Sequence, residues 1–261
     1  MARNVKTKSR QTSQKPGRAP LVASYATIEV AGYSTWLQAE PNFLGAMQAF
    51  DALVAQGVAD QGDIQNGKGD YFNDVLARLL EKCSGKTLHS RPNVPGLSFP
   101  RHMLDVAYPP TGTVRLAVET KATGIPRHPR NAAQPHVDGR AGSADLEKRI
   151  KEASFKNIDL KGEVARLQGQ GGGATSNLSQ WLRATDPQCY LFLSVRVRDD
   201  SDLRATERFA HIATTWFDGV GLCAYGWDET HAAYEVKKLS APNIELDRVL
   251  AQVCTTLRSL P

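Results

Sequence analysis

No stretch of the chain stays apolar for the ~20 residues that a membrane-spanning helix needs, and the N-terminus lacks the apolar core of a secretory signal. A soluble intracellular protein with no membrane partner is expected. Cysteine is sparse. Cys83, Cys189, Cys223 and Cys254 stand far apart, with no CxxC pair. That spacing excludes a zinc ribbon and a thioredoxin-like redox motif. Most of the four sit in apolar runs and read as buried free thiols. A GxxxxGK(S/T) loop is also missing, and the glycines at 169–173 do not replace it, so no nucleotide cofactor is expected. Acid is absent from residues 1–20, which hold Arg3, Lys6, Lys8, Arg10, Lys15 and Arg18 among Ser, Thr, Gln and Pro. Such a segment buries too little apolar surface to order itself. It reads either as a flexible basic arm or as a solvated tail.

What is present is an ordinary core-forming chain. Hydrophobic residues make up 41% of the 261, and the net charge of +5 permits a nucleic-acid partner without requiring one. Residues 21–261 read as a single domain. Phe43, Met47, Phe50 and Leu53 recur at helical spacing over 42–56. A turn-rich stretch, DQGDIQNGKGD, follows at 60–70. In YFNDVLARLLEKCSG, 71–85, the apolar residues share one helical face, and Gly85 can stop the helix. Ser90–Pro100 reads as loop or edge, HMLDVAYP at 102–109 as a short strand, and TVRLAVETK at 113–121 as its hairpin partner across PPTG. A loop over 122–142, a helix over 143–167 capped by Ser143, and a central strand over 189–197 come next. A helix (202–217), a strand (219–227) and a closing helix (244–257) complete the chain. The order predicts an α/β domain with a mixed sheet and a parallel crossover between the strands at 113–121 and 189–197.

The chemistry concentrates at one strand end. Side chains alternate faces along a strand, so Glu119 and Lys121 point one way, opposite to Val118 and Thr120. Asp105, fourteen positions upstream on the preceding strand, can converge with Glu119 if the two strands pair. Two close carboxylates repel, and Mg²⁺ with its preference for oxygen relieves the repulsion. Such an ion lowers the pKa of bound water and polarises a phosphoryl oxygen. Lys121 can position or deprotonate the attacking water, or stabilise charge on the phosphate. The competing reading is a Glu–Lys pair that merely ends a strand.

In its order and spacing, Asp105, then Glu119-Thr120-Lys121, between a helix before and a helix and buried strand after, resembles the PD-(D/E)xK nuclease superfamily over roughly residues 70–200. The resemblance implies a restriction-endonuclease-like mixed sheet flanked by helices. It implies Asp105 and Glu119 as ligands for Mg²⁺, and Lys121 as the catalytic lysine. It also implies a type II restriction enzyme, a homodimer cutting double-stranded DNA in the cytoplasm of a prokaryotic cell. A repair, junction-resolving or phage-defence nuclease stands beside it, as does a non-catalytic DNA-binding protein on the same scaffold. The 71–85 helix resembles the family's first core helix. There Asn73 stands where many members have Glu, leaving Asn73, Asp74 or Asp70 to complete the site. In a nuclease, Arg127, His128, Arg130, His136 and Arg140 of the 122–142 loop would meet DNA. Lys148, Arg149, Lys151, Lys156 and Lys161 are balanced by nearby acids and read as a solvated helix face. Trp216, Tyr225 and Trp227 read as core.

Overall fold

The computed structural model describes residues 31–59, 61–127, 139–169 and 178–261. The 1–20 arm and His128, Arg130 and His136 lie outside them. Helices α1 (Trp36–Ala55) and α2 (Gln61–Ser84) come first, then strands β1 (His89–Ser90), β2 (Asn93–Val94), β3 (His102–Met103) and β4 (Val106–Tyr108). There follow β5 (Leu116–Thr123), β6 (Ile125–Pro126), β7 (Gly139–Arg140), α3 (Leu146–Leu167) and α4 (Leu178–Ala184). The chain closes with β8 (Gln188–Arg196), α5 (Asp200–Ala213), β9 (Gly219–Asp228), β10 (Ala233–Val236) and α6 (Leu246–Ser259).

Six strands form a mixed sheet in the order β1-β4-β5-β8-β9-β10. β5, β8 and β9 run parallel, and β4 and β10 pair antiparallel on either side of them. β8 is buried on both faces from Cys189 to Arg196, which explains its unbroken apolar sequence. Even-numbered β5 residues, such as Leu116 and Val118, join α1, α2 and α6 in one core cluster. Ala117 faces the other way, into a cluster with α3 and α5. Helices thus cover both faces, the α/β arrangement expected from the element order. No helix among the described residues is long and apolar enough to cross a membrane.

Several expectations are corrected. The stretch 60–70 is not a turn beyond Asp60. From Gln61 it is the first half of α2, despite three glycines. Packing overrides propensity there. Ile64 and Lys68 are buried, and a Cβ on Gly67 would stand 3.3 Å from the Phe50 ring, so glycine lets α2 lie close on α1. The 102–109 strand is split into β3 and β4, with Leu104 and Asp105 between them. Ser143 does not cap α3. A 3-10 turn over Gly142–Asp145 leads in, and the Asp202 carboxylate accepts from Gly142 N at 2.7 Å and Ser143 N at 2.9 Å. Within 122–142, Ala122 and Thr123 still belong to β5, and β6 pairs with β7. Cys83 and Cys254 are not free thiols. They form a disulfide across a sequence separation of 171, because α2 and α6 pack on the same sheet face. Cys189 and Cys223 are free and buried. Burial pushes both thiols up, Cys189 to about 12.

Candidate active site

β5 owes its place to Leu116 and Val118, which anchor it in one core, and to Ala117 in the other. Beyond them the strand carries polar groups into the interior. Glu119 is 4% exposed, an unusual burial for a carboxylate, and two lysines meet it. Lys121 Nζ lies 3.1 Å from Glu119 Oε2, and Lys156 Nζ, from α3, lies 2.7 and 2.8 Å from Oε1 and Oε2. Both lysines are mostly covered as well.

The β4–β5 pairing, Val106 opposite Val118, brings Asp105 to the same place. Its Oδ2 accepts from Thr120 N at 2.7 Å and Thr120 Oγ1 at 3.0 Å. Lys121 Nζ stands 3.9 Å from that oxygen and donates to Thr120 O at 2.9 Å. Asp105 Oδ2, Glu119 Oε2 and the Thr120 carbonyl therefore surround one point, now filled by the Lys121 Nζ. All three are hard oxygen donors, the set that suits Mg²⁺. The donor chemistry fits, with one condition: Glu119 oxygens held by lysine must be yielded to a cation.

The helix residues separate. Asn73 is buried at 2%. Its Nδ2 approaches the Asp105 carbonyl at 3.5 Å, and its Oδ1 has no hydrogen-bond partner among the described residues. Asn73 therefore touches the backbone of Asp105, not its carboxylate. Asp70 and Asp74 reach outward to Arg91, at 2.9 and 4.0 Å, and Arg91 N donates to the Asp105 carbonyl. Arg127 and Arg140 lie beyond the end of β5. Both are exposed, and Arg140 is bonded to Asp145 at 2.5 Å.

Lys156 is the residue that charge counting missed. It sits three residues after buried Ala153 and four before buried Leu160, at the spacing that puts it beside the core stripe of α3. Lys161 is similarly placed and donates to the Leu182 and Thr185 carbonyls. The solvated-face reading thus holds for Lys148, Arg149 and Lys151, which pair with Glu152 and Glu147, and fails for Lys156 and Lys161. Lys156 also donates to Met103 O at 2.8 Å, tying α3 to β3 two residues before Asp105. Three residues on, Asp159 accepts from Ser98 N at 2.7 Å and Phe99 N at 3.2 Å, and pairs with His102 at 2.6 Å. Burial pushes the Asp159 carboxyl up, but these bonds outweigh it and hold it below its usual range.

A second group of ligand atoms lies on the β9–β10 turn. His231 Nδ1 is 2.5 Å from Asp228 and 2.6 Å from Glu235, whose carboxylates raise its pKa. It is exposed and already satisfied as ion pairs. Tyr225 is core, and Trp216 and Trp227 pack against the two clusters. No family model, curated protein or solved structure matches this chain.

Proposed function

We propose that the protein is a Mg²⁺-dependent endonuclease for double-stranded DNA, acting as a stand-alone type II restriction enzyme does. The observation that carries this reading is the convergence of Asp105, Glu119 and Lys121 on one point where the start of β4 meets β5, with Lys121 Nζ 3.1 Å from Glu119 and 3.9 Å from Asp105. Asp105, Glu119 and the Thr120 carbonyl would hold the ion. Bound there, Mg²⁺ supplies polarisation of the phosphoryl oxygen and a more acidic water.

The chain's own groups do the rest. Thr120 fixes Asp105 Oδ2, the oxygen that faces Glu119 and Lys121, through two hydrogen bonds and so orients the carboxylate. Lys121 orients the attacking water or meets the charge that builds on the phosphate. In hydrolysis a P–O bond to water oxygen forms as one ester P–O bond breaks. The water loses a proton and the leaving oxygen gains one. The single site per chain and the two strands of a duplex together call for a homodimer.

One observation favours a second reading, a DNA-binding protein that does not cut: Lys156 spans both Glu119 oxygens and neutralises the carboxylate without any metal. Supercoiled plasmid separates the two. The nuclease reading expects nicked and linear DNA with Mg²⁺, none with EDTA, and none from Glu119→Gln. Persistent cutting by Glu119→Gln shows the site is elsewhere. Binding by wild type with no cutting at any Mg²⁺ concentration leaves the second reading.

A further inference from the structure

The row of side chains that begins at Glu119 does not end at Lys121. Alternation puts Thr123 on the same face of β5, ~13 Å from Glu119 along the strand. There it lines a cleft of about 620 Å³, bounded by the start of α2, the Gly142–Asp145 turn and the first turns of α3. Thr123 is 7% exposed, yet its Oγ1 has no hydrogen-bond partner among the described residues. A buried hydroxyl left this way is costly and is ordinarily satisfied by a bound group or water. Across the cleft, among the described residues, stand two guanidinium groups, Arg140 and Arg149, against one lining carboxylate, Asp145. Arg140 leans on Asp145 and Arg149 on Glu152 at 3.2 Å. Each guanidinium has five donors, so each can keep that contact and still take an anion.

Arg149 and Lys156 lie seven residues apart on α3, two turns or ~10.5 Å, on one stripe. Arg149 lines the cleft and Lys156 touches Glu119. The cleft is thus the far end of a polar track that starts at the candidate active site. The offset matches roughly two nucleotides of one strand, because neighbouring phosphates of a strand turn about the axis and stand further apart than the ~3.4 Å rise per base pair.

We propose that this cleft binds a phosphate of the same DNA strand, about two nucleotides from the ester presented to Lys121. Thr123 donates its hydroxyl and Arg140 and Arg149 supply the charge. Gln65 holds the cleft's edge by donating to the Ala122 carbonyl at 2.6 Å. Its Oε1, without a partner among the described residues, is placed to accept from the phosphate's hydration water. The assignment rests on the nuclease reading of the Glu119 site and extends it to where the strand runs.

The test is binding of a short duplex, followed by fluorescence anisotropy in EDTA across a salt series. Arg140→Gln and Arg149→Gln should each weaken binding about five- to tenfold. Each should also flatten the slope of log affinity against log salt by about one, as loss of one phosphate contact does. Thr123→Val should weaken binding without changing the slope, because a hydroxyl releases no counterion. Both arginines are half exposed, so their variants should fold, and melting temperatures within a degree or two of wild type verify it. Wild-type slopes in both arginine variants overturn the proposal. So does a cleft that answers only to free phosphate: inorganic phosphate raising the melting temperature of wild type but not of Thr123→Val, with duplex binding unaltered by any variant. Plasmid cutting by wild type alongside unchanged slopes would reject the cleft and keep the nuclease. Changed slopes without cutting would reject the nuclease and keep a phosphate-binding cleft.

Discussion

Glu119 is held by two lysines, and they should respond differently to substitution. Lys121 shares its Nζ among Glu119, the Thr120 carbonyl and, more distantly, Asp105. On the proposed nuclease reading, Lys121→Ala should cost about 10²–10⁴-fold in cleavage rate, with DNA binding in EDTA little changed. Lys156 spends its charge on both Glu119 oxygens and competes with any cation for them. Lys156→Gln should therefore lower the Mg²⁺ concentration needed for half-maximal cutting, and lower stability by about 1–3 kcal/mol. An unchanged Mg²⁺ titration would show that Lys156 does not compete with a cation for Glu119. Glu119, Lys121 and Asp105 were all legible in the sequence, because strand alternation and spacing locate them. Lys156 was not, since nothing linear links a helix lysine to a strand glutamate 37 residues earlier. Its only trace is its spacing from Ala153 and Leu160.

At the level of elements, α3 works as a clamp. Asp159 gathers the backbone N–H groups of Ser98 and Phe99 and the His102 ring, and so fixes the segment that runs into β3 and Asp105. Gly96 is required in that segment: a Cβ there would come within 2.0 Å of Asp159 Oδ2. The lowered Asp159 pKa sets a sign. Its stabilising contribution is present above the unfolded carboxyl value of ~3.9, and is lost as the pH falls through the lower folded value. Asp159→Asn should melt below wild type at neutral pH, and the gap should close as the pH drops under ~4. A gap that stays constant on acidification would mean the carboxylate charge contributes nothing there. The pairing of β4 with β5 was readable from alternation and PPTG. The break that isolates Asp105 between β3 and β4 was not, because β3 pairs with β2 outside the main sheet. The glycines of 61–69 pointed away from helix, and only the contact with α1 reverses them.

Across the whole molecule, two linkages join what the chain separates. Lys68 Nζ contacts both Asp51 oxygens at 3.0 Å, and Tyr234 donates to the same carboxylate, so α2, α1 and β10 meet at one charge pair. Burial pulls the Lys68 pKa down, while Asp51 pushes it back up. Lys68→Met would strand the Asp51 carboxylate and should destabilise by about 3–5 kcal/mol in chemical denaturation. The Cys83–Cys254 disulfide ties α2 to α6. Its reduction, or Cys83→Ser, should cost about 2–4 kcal/mol, read as a fall in melting temperature with reductant. A melting temperature insensitive to reductant would show that the pair is not bonded in solution.

The sequence by itself determined the α/β class, the central buried strand, the antiparallel β4–β5 pair and the acid–acid–lysine set. Each of these is written in local periodicity or short spacing, where the physics is that of a single element. Tertiary structure alone decided the rest. It placed Lys156 on Glu119, turned Asp70 and Asp74 toward Arg91, closed the disulfide, and formed the cleft beyond Thr123. Those outcomes depend on which faces of distant elements meet when the two cores are buried, and no periodicity within one segment encodes that.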